Sequence, residues 1–264
     1  MRSYFVIGNP IDHSLSPKLH NFWIKKNNID AVYGKKNLNN NEIENLILNI
    51  REKKIHGINV TVPFKKTVIP FVDELSPGAT KTQSVNTILL KNKKIIGHNT
   101  DIGGFENAIM NLNYNLNNKK VLILGAGGVV PSIVYASIKM KASKIYVSNR
   151  TIAKAESISN LFNNIQVIPW GDIPEFDLVI NGTSVGLNAN DTLNLDFSKV
   201  GKNKLFYDVI YSPKLTNFLK TGKKLGNKFE NGKLMFIFQA SLAFKLWHNL
   251  LPQINDETKK LLET

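Results

Sequence analysis

The sequence predicts a two-domain α/β protein in which one domain is built on a parallel sheet able to hold a dinucleotide. Three observations carry this. Residues 121–151, VLILGAGGVVPSIVYASIKMKASKIYVSNRT, read as strand, glycine turn, helix and second strand, the βαβ unit of about 30 residues that binds dinucleotides. From 119 to 230, strand-like runs at 121–124, 144–148, 165–168, 177–180 and 205–209 alternate with helical stretches, the pattern of a parallel sheet. The chain's 264 residues also exceed the usual size of a single core.

The first block reads in order as follows. SYFVIG at 3–8 is a strand, and 15–28 is a helix that follows a turn. Residues 42–53 are helical because Ile43, Leu46, Ile47 and Ile50 share one face. Residues 56–62 alternate as a strand, with Asn59 and Thr61 on one side, Val60 and Val62 on the other, and Pro63 as the break. IPFVDEL, 69–75, reads as a short helix, and 85–90 with 94–97 as a hairpin across KNK. NTDIGGF, 99–105, joins the blocks. Gly103-Gly104 there suits a hinge or a tight helix start, and a helix over 102–112 follows. Residues 233–248 are helical and apolar, and a polar-faced helix ends the chain. The expected division is 1–101 completed by 233–264, and 102–232.

The glycine turn sets out the coenzyme chemistry. Gly125, Gly127 and Gly128 allow the backbone close to a pyrophosphate. The helix that follows offers free N–H groups and a positive dipole end to the phosphates. Val130 stands where a third glycine or alanine is usual, and Pro131 is tolerated in a first helical turn. The glycines alone fit a βαβ unit that binds nothing equally well. The end of the second strand breaks the tie. An NAD site wants a carboxylate there for the ribose 2′-hydroxyl, whereas this chain has Asn149-Arg150-Thr151. A guanidinium forks onto a 2′-phosphate, so the local reading is NADP.

Composition narrows the classes. At 42% hydrophobic residues the chain can bury substantial cores, and with no cysteine it has neither disulfides nor thiolate chemistry. MRSYFVIGNP lacks the apolar stretch of a secretion signal, and no apolar run is long enough to span a membrane. A cytoplasmic location is the expectation. The net charge of +14 raises nucleic acid as a partner. Of the 34 basic residues only Arg2, Arg51 and Arg150 are arginines, and the lysines scatter through turns without interleaved aromatics. A solvated basic surface is the plainer account, and no nucleic acid or membrane partner is expected. His13, His20, His56, His98 and His248 have no metal-ligand spacing, so no metal is expected, although His13 and His98 could support a site.

Within and beyond the nucleotide unit, GNPIDHSLSPKLHN (8–21), GINVTVPFK (57–65), SVNT (84–87), GHNTD (97–101), LGAGG (124–128), SNRT (148–151), NGTSVG (181–186), YDVIY (207–211) and NGKLMFIFQA (231–240) follow one another along the chain. In these segments the chain resembles the shikimate dehydrogenases nearly end to end. The resemblance implies an α/β substrate domain beside a Rossmann-like NADP-binding domain. It implies reversible reduction of 3-dehydroshikimate to shikimate with NADP(H), on the route to chorismate and the aromatic amino acids. A quinate/shikimate dehydrogenase with relaxed coenzyme use and a catalytically silent ligand-binding relative are the alternatives. Monomer and homodimer both remain open.

A ketone that accepts hydride becomes an alkoxide and needs a proton donor beside it. Lys65, in a loop just past a strand end, and Asp101 match the family's catalytic pair; Asp101 could also cap the 102–112 helix. Ser14 and Ser16 match positions that bind the substrate carboxylate, although both also suit turn and capping work before Pro17. Asn59, Thr61, Asn86, Gln239 and Tyr211 complete the substrate set implied by the resemblance. The coenzyme set is Gly125, Ala126, Gly127, Gly128, Val129, Asn149, Arg150, Thr151, Lys154, Thr183, Val209 and Gly232. Three departures stand out: Ile102 for the usual glycine after NTD, Val130-Pro131 at the glycine-loop helix, and Gln83 where glycine is frequent.

Overall fold

A computed structural model describes residues 1–262. The chain divides into two units, Met1–Gly104 with Ile237–Thr264, and Phe105–Phe236. Both divisions fall inside helices, Asp101–Asn111 and Lys233–His248.

The first unit contains β1 (Arg2–Gly8), α1 (Ser16–Lys26), β2 (Ala31–Asn37), α2 (Ile43–Arg51), β3 (Gly57–Val60), β4 (Glu74–Leu75), α3 (Pro77–Thr82), β5 (Thr87–Lys91) and β6 (Lys94–His98). Its six-stranded sheet has the order β2-β1-β3-β5-β6-β4. β1 runs parallel to β2 and β3, with Ile7 opposite Val60, while β5 is antiparallel to β3 and β6. The apolar face of α2 is buried as its periodicity predicts. Ile43, Leu46, Ile47 and Ile50 pack with Ile7, Ile58, Val60, Phe64 and Ile88. Each such side chain contributes roughly 1.5–3 kcal/mol by leaving water.

Two elements differ from expectation here. β3 stops at Val60 rather than 62, because the chain turns so that Val62 is exposed and Phe64 is buried in the core. The helix expected over 69–75 is only a single 3-10 turn, Ile69–Phe71. β4 follows it and pairs with β6 beside an Asp73 carboxylate that accepts the Ile95 N–H at 2.6 Å. The sequence reading also passed over β2, whose Gly34 and paired lysines suit an exposed edge, and α3, which is capped by Ser76.

After α4 (Asp101–Asn111), the second unit contains β7 (Lys120–Leu124), α5 (Val130–Lys139), β8 (Lys144–Ser148), α6 (Ile152–Ser159), β9 (Ile165–Ile168), β10 (Leu178–Asn181), β11 (Leu205–Asp208), α7 (Asn217–Lys224) and β12 (Lys228–Glu230). The sheet is parallel throughout, in the order β12-β11-β10-β7-β8-β9. The chain winds outward from β7 to β9, then returns to β10 on the other side and winds outward again. The strand order therefore reverses between β7 and β10, and in such sheets ligands bind at the carboxyl ends of the strands flanking that point.

Strict strand–helix alternation does not hold in this unit. Residues 169–177 and 182–204 form no helix, because Pro169, Gly171 and Pro174 break the first stretch and Asn, Asp and Gly dominate much of the second. Trp170, Ile173, Leu193, Leu195 and Phe197 from these stretches still pack on the sheet around Phe206 and Val179 and cover it as a helix would. α8 (Lys233–His248) and α9 (Asp256–Lys260) end the fold. Among the described residues no helix is long and apolar enough to cross a membrane.

Candidate active site

In the first unit a continuous polar chain runs from the start of α1 through residues of β2, β3 and β5 to the start of α4 (Asp101–Asn111). Ser16 lies against the Tyr33 hydroxyl. That hydroxyl donates to Asn59 Oδ1 at 2.7 Å. The Asn59 amide donates to Asn86 O at 3.1 Å and to Thr87 Oγ1 at 3.0 Å. Asn86 Nδ2 reaches Thr100 Oγ1 and Asp101 Oδ1, both at 2.9 Å, and Gln239 Oε1 at 3.4 Å. Asp101 Oδ2 accepts from Lys65 Nζ. Ser16, Asn59, Asn86, Gln239, Lys65 and Asp101 are thus joined in one network.

Backbone packing places the catalytic candidates. Phe64, 1% exposed, anchors the turn after β3, and Lys65 O accepts the Val85 N–H at 2.9 Å. These contacts aim the neighbouring ammonium at Asp101. α4 begins at Asp101, one residue earlier than expected, and Asn99 rather than Asp101 caps it. Asn99 Oδ1 accepts the backbone N–H of Asp101 at 3.1 Å and of Ile102 at 3.4 Å. The Asp101 carboxylate is therefore left for Lys65 and Asn86. Both members of the pair are buried, Lys65 at 8% and Asp101 at 5% exposure.

The remaining substrate candidates differ in their surroundings. Ser14 Oγ accepts the Ser16 N–H at 3.3 Å, so the turn-forming role expected of it is real, and the residue stays half-buried. Thr61 is half-buried just past β3, where its methyl group passes so close to Gly8 that a Cβ there would lie 2.6 Å from it. Asn59 is almost fully buried with both amide hydrogens engaged, which makes it a support for Asn86 rather than a free donor. Tyr211 belongs to the second unit, where its ring packs on Phe236 at 4.7 Å.

In the second unit the coenzyme candidates cluster at strand carboxyl ends. Gly125 follows β7 at φ 105°, where a side chain is strained and its Cβ would lie 2.8 Å from Thr183. Gly127 is different. A Cβ there would touch only Gly182 O, at 3.6 Å, so protein packing does not demand a glycine. Ala126, Gly128 and Val129 complete the turn, and α5 begins without a side-chain cap. Val130 fits because it packs where Gly182 has no side chain; a Cβ at Gly182 would lie 2.8 Å from Val130 Cγ2.

Leu124 pairs with Ser148, so Asn149, Arg150 and Thr151 emerge beside the glycine turn. Asn149 Nδ2 donates to Thr151 O at 2.7 Å and shapes this loop. Arg150 and Lys154 are both exposed. Thr183 follows β10 and Val209 follows β11. Gly232 lies so close to the Val209 backbone that a Cβ would overlap it.

Residues 6–88 match the family described as shikimate dehydrogenase substrate binding domain, and residues 106–199 match that described as shikimate / quinate 5-dehydrogenase. A shikimate dehydrogenase (NADP(+)) of Pelagibacter ubique is 55% identical over 262 residues, covering 99% of each chain. The chain belongs to the shikimate dehydrogenase family. Among solved members, the Aquifex aeolicus shikimate dehydrogenase is 33% identical with a TM-score of 0.89, over 98% of this chain and 96% of that one. The Thermus thermophilus shikimate 5-dehydrogenase in complex with NADP(H) and shikimate is 29% identical with a TM-score of 0.90, over 99% of this chain and 98% of that one.

The departures from the family pattern have local explanations. Gln83 takes φ 46° and ψ 43° at the end of α3, the left-handed conformation that favours glycine, and its amide donates to Thr80 O at 2.7 Å. Ile102 is 5% exposed and packs where Gly78 lacks a side chain. Gly103 stands one residue before the end of the first stretch of the first unit. It lies inside α4, where a Cβ would sit 2.6 Å from Leu242 of α8.

His20 is buried, stacks on Tyr33 at 4.2 Å and 4°, and is held down to about 3 by burial, with His248 adding repulsion. His98 is lowered by burial and then by Lys91. Sequence reasoning missed Tyr33, Asn99, Asn181, Asp208 and Thr216. Asn181 and Asp208 sit in the quoted NGTSVG and YDVIY segments, where the available signal was a polar residue ending an apolar strand; Asn99 sits in the quoted GHNTD, and Thr216 lies outside the quoted segments.

Proposed function

We propose that Lys65 and Asp101 are the proton-transfer pair of an NADP-dependent shikimate dehydrogenase, with the first unit binding substrate and the second binding coenzyme. The enzyme interconverts 3-dehydroshikimate and shikimate in aromatic biosynthesis. The observation that carries the assignment of the pair is the buried Lys65–Asp101 contact, fixed from its other side by the Asn86 amide. When bound, NADPH supplies the hydride. The Lys65 ammonium gives a proton to the oxygen that becomes the new hydroxyl, and in the oxidative direction its free amine takes that proton back. Asp101 orients the ammonium, and Asn86 with Thr100 and Gln239 keeps Asp101 from turning away.

Ser14 and Ser16 bind the substrate carboxylate, and Thr61, Asn86, Gln239 and Tyr211 bind its hydroxyls. Asn59 acts by holding Asn86. Gly125–Val129 with the start of α5 hold the pyrophosphate. Arg150, with Asn149, Thr151 and Lys154, holds the 2′-phosphate, and Thr183, Val209 and Gly232 line the other half of the coenzyme site. On this reading the enzyme works in the cytoplasm as a monomer or homodimer, on small molecules, with no part for nucleic acid or membrane.

The test is a spectrophotometric assay of shikimate and quinate, each with NADP and NAD. Shikimate with NADP is expected to turn over fastest. Quinate, which lacks the ring double bond and carries an extra hydroxyl beside the carboxylate, is expected to be much slower. No shikimate-dependent NADPH formation removes the reading, and equal rates on quinate favour a quinate/shikimate dehydrogenase.

A further inference from the structure

Asp208 ends β11 with no exposed surface, and it carries no role in the chemistry described above. Its Oδ1 accepts from Ile210 N at 3.0 Å and Asn181 Nδ2 at 3.1 Å. Its Oδ2 accepts from Thr216 Oγ1 at 2.6 Å and from the same Asn181 amide at 3.2 Å. Asn181, equally buried, ends β10 and continues the network. Its Oδ1 takes the Thr183 N–H at 3.1 Å and the Thr183 hydroxyl at 2.7 Å, and its amide reaches Val185 O at 3.0 Å. Thr216 caps α7 by accepting Leu219 N–H at 3.3 Å. It also packs against the 183–186 turn, where a Cβ on Gly186 would lie 3.1 Å from its methyl group.

One carboxylate therefore ties together the two loops that leave β10 and β11. All of its hydrogen-bond donors are neutral, and burial pushes the carboxyl up to about 6. A buried charge without a cation costs stability, so its value to this protein lies in the geometry it imposes. Four acceptor interactions converge on two oxygens, and no neutral side chain reproduces them. An asparagine would turn an NH₂ toward donors.

We propose that Asp208 is a positioning residue for the coenzyme: through Asn181 and Thr216 it fixes the loops that carry Thr183 and Val209. The inference rests on the coenzyme site described above. It concerns only the half of that site on the β10–β11 side of the strand reversal, since Arg150 serves the other half.

The experiment measures binding of NADPH and of adenosine 2′,5′-bisphosphate, which carries the 2′-phosphate end but no nicotinamide, to the full chain. The proteins are wild type, Asp208→Asn, Thr216→Val and Thr216→Ser. Asp208→Asn and Thr216→Val are expected to weaken NADPH roughly tenfold or more, the effect of losing a hydrogen bond to a charged group. The bisphosphate should stay within about twofold, and Thr216→Ser, which keeps the hydroxyl, should bind NADPH within about twofold of wild type. Should Asp208→Asn fail to fold, the Thr216 pair still decides. Equal weakening of both ligands means that the network only holds the fold together, and unchanged NADPH binding in Thr216→Val means that the loops need no such tie. Either result overturns the inference while leaving the coenzyme site standing. A wild type that binds neither ligand removes the coenzyme site and this inference together.

Discussion

If Lys65 and Asp101 are the proton-transfer pair, single substitutions should lower both stability and activity, and the double substitution should restore stability alone. Lys65→Met leaves the Asp101 carboxylate buried at 5% exposure. Oδ1 still accepts from Asn86 at 2.9 Å, but Oδ2 loses Lys65. Breaking a buried pair by removing one partner costs about 3–5 kcal/mol. The retained amide places the expected loss at the lower end, about 3 kcal/mol, since a hydrogen bond to a charge contributes about 1.5–3 kcal/mol. Asp101→Asn strands the Lys65 ammonium and should cost a similar amount. The double variant Lys65→Met/Asp101→Asn removes both charges and should return to within about 1 kcal/mol of wild type.

Activity is not expected to return with it. Each single variant should lower kcat by roughly 10²–10⁴-fold, and the double should fall well short of the product of the singles because the two act as a unit. Urea unfolding followed by tryptophan fluorescence gives the stabilities, and NADPH absorbance gives the rates. A double variant no more stable than Lys65→Met would refute the claim that the charges compensate one another. A near-normal kcat in Lys65→Met would show that another group donates the proton.

Arg150→Ala should weaken NADP use by roughly 10- to 150-fold, the worth of a hydrogen bond to a charged group, and leave NAD use nearly unchanged. Added salt should weaken NADP more than NAD in the wild type, because Arg150 is exposed. Equal losses with both coenzymes would mean that Arg150 holds the adenine or the loop instead. Buried His20 and half-buried His248 should make the first unit less stable in acid. Burial, then His248, lowers His20 to about 3, and burial, then Arg2, lowers His248 to about 4, from the ordinary 6.5. The unfolded chain therefore binds more protons across that window. The stability they contribute is full above about pH 6.5 and is lost as pH falls toward about 4 for His248 and about 3 for His20. His20→Phe keeps the stack on Tyr33 and should flatten this dependence by up to about 1.4 kcal/mol per pH unit in urea midpoints between pH 7 and 4.5. An unchanged slope would rule out His20 as a contributor.

The sequence by itself determined the parts whose physics is local. The βαβ unit was legible because the apolar run of β7, the glycine turn and the Asn149-Arg150-Thr151 ending lie within one short segment. α2 was legible because its isoleucines and Leu46 recur at helical spacing. The catalytic candidates came from motif and resemblance, since one lysine among so many carries no local signal of its own. Only the tertiary structure decided that Asn99 rather than Asp101 caps α4, which frees a carboxylate for Lys65. It alone decided that Val130 is tolerated, because the residue it packs against is Gly182, which has no side chain. It cut the expected 69–75 helix to a 3-10 turn at Ile69–Phe71, because Glu74 and Leu75 pair with β6 instead. The Asn181–Asp208–Thr216 network was beyond sequence reasoning for the same reason. Its members lie up to 35 positions apart, and whether an aspartate is exposed and solvated or buried and fourfold hydrogen-bonded depends on which strands the sheet brings side by side.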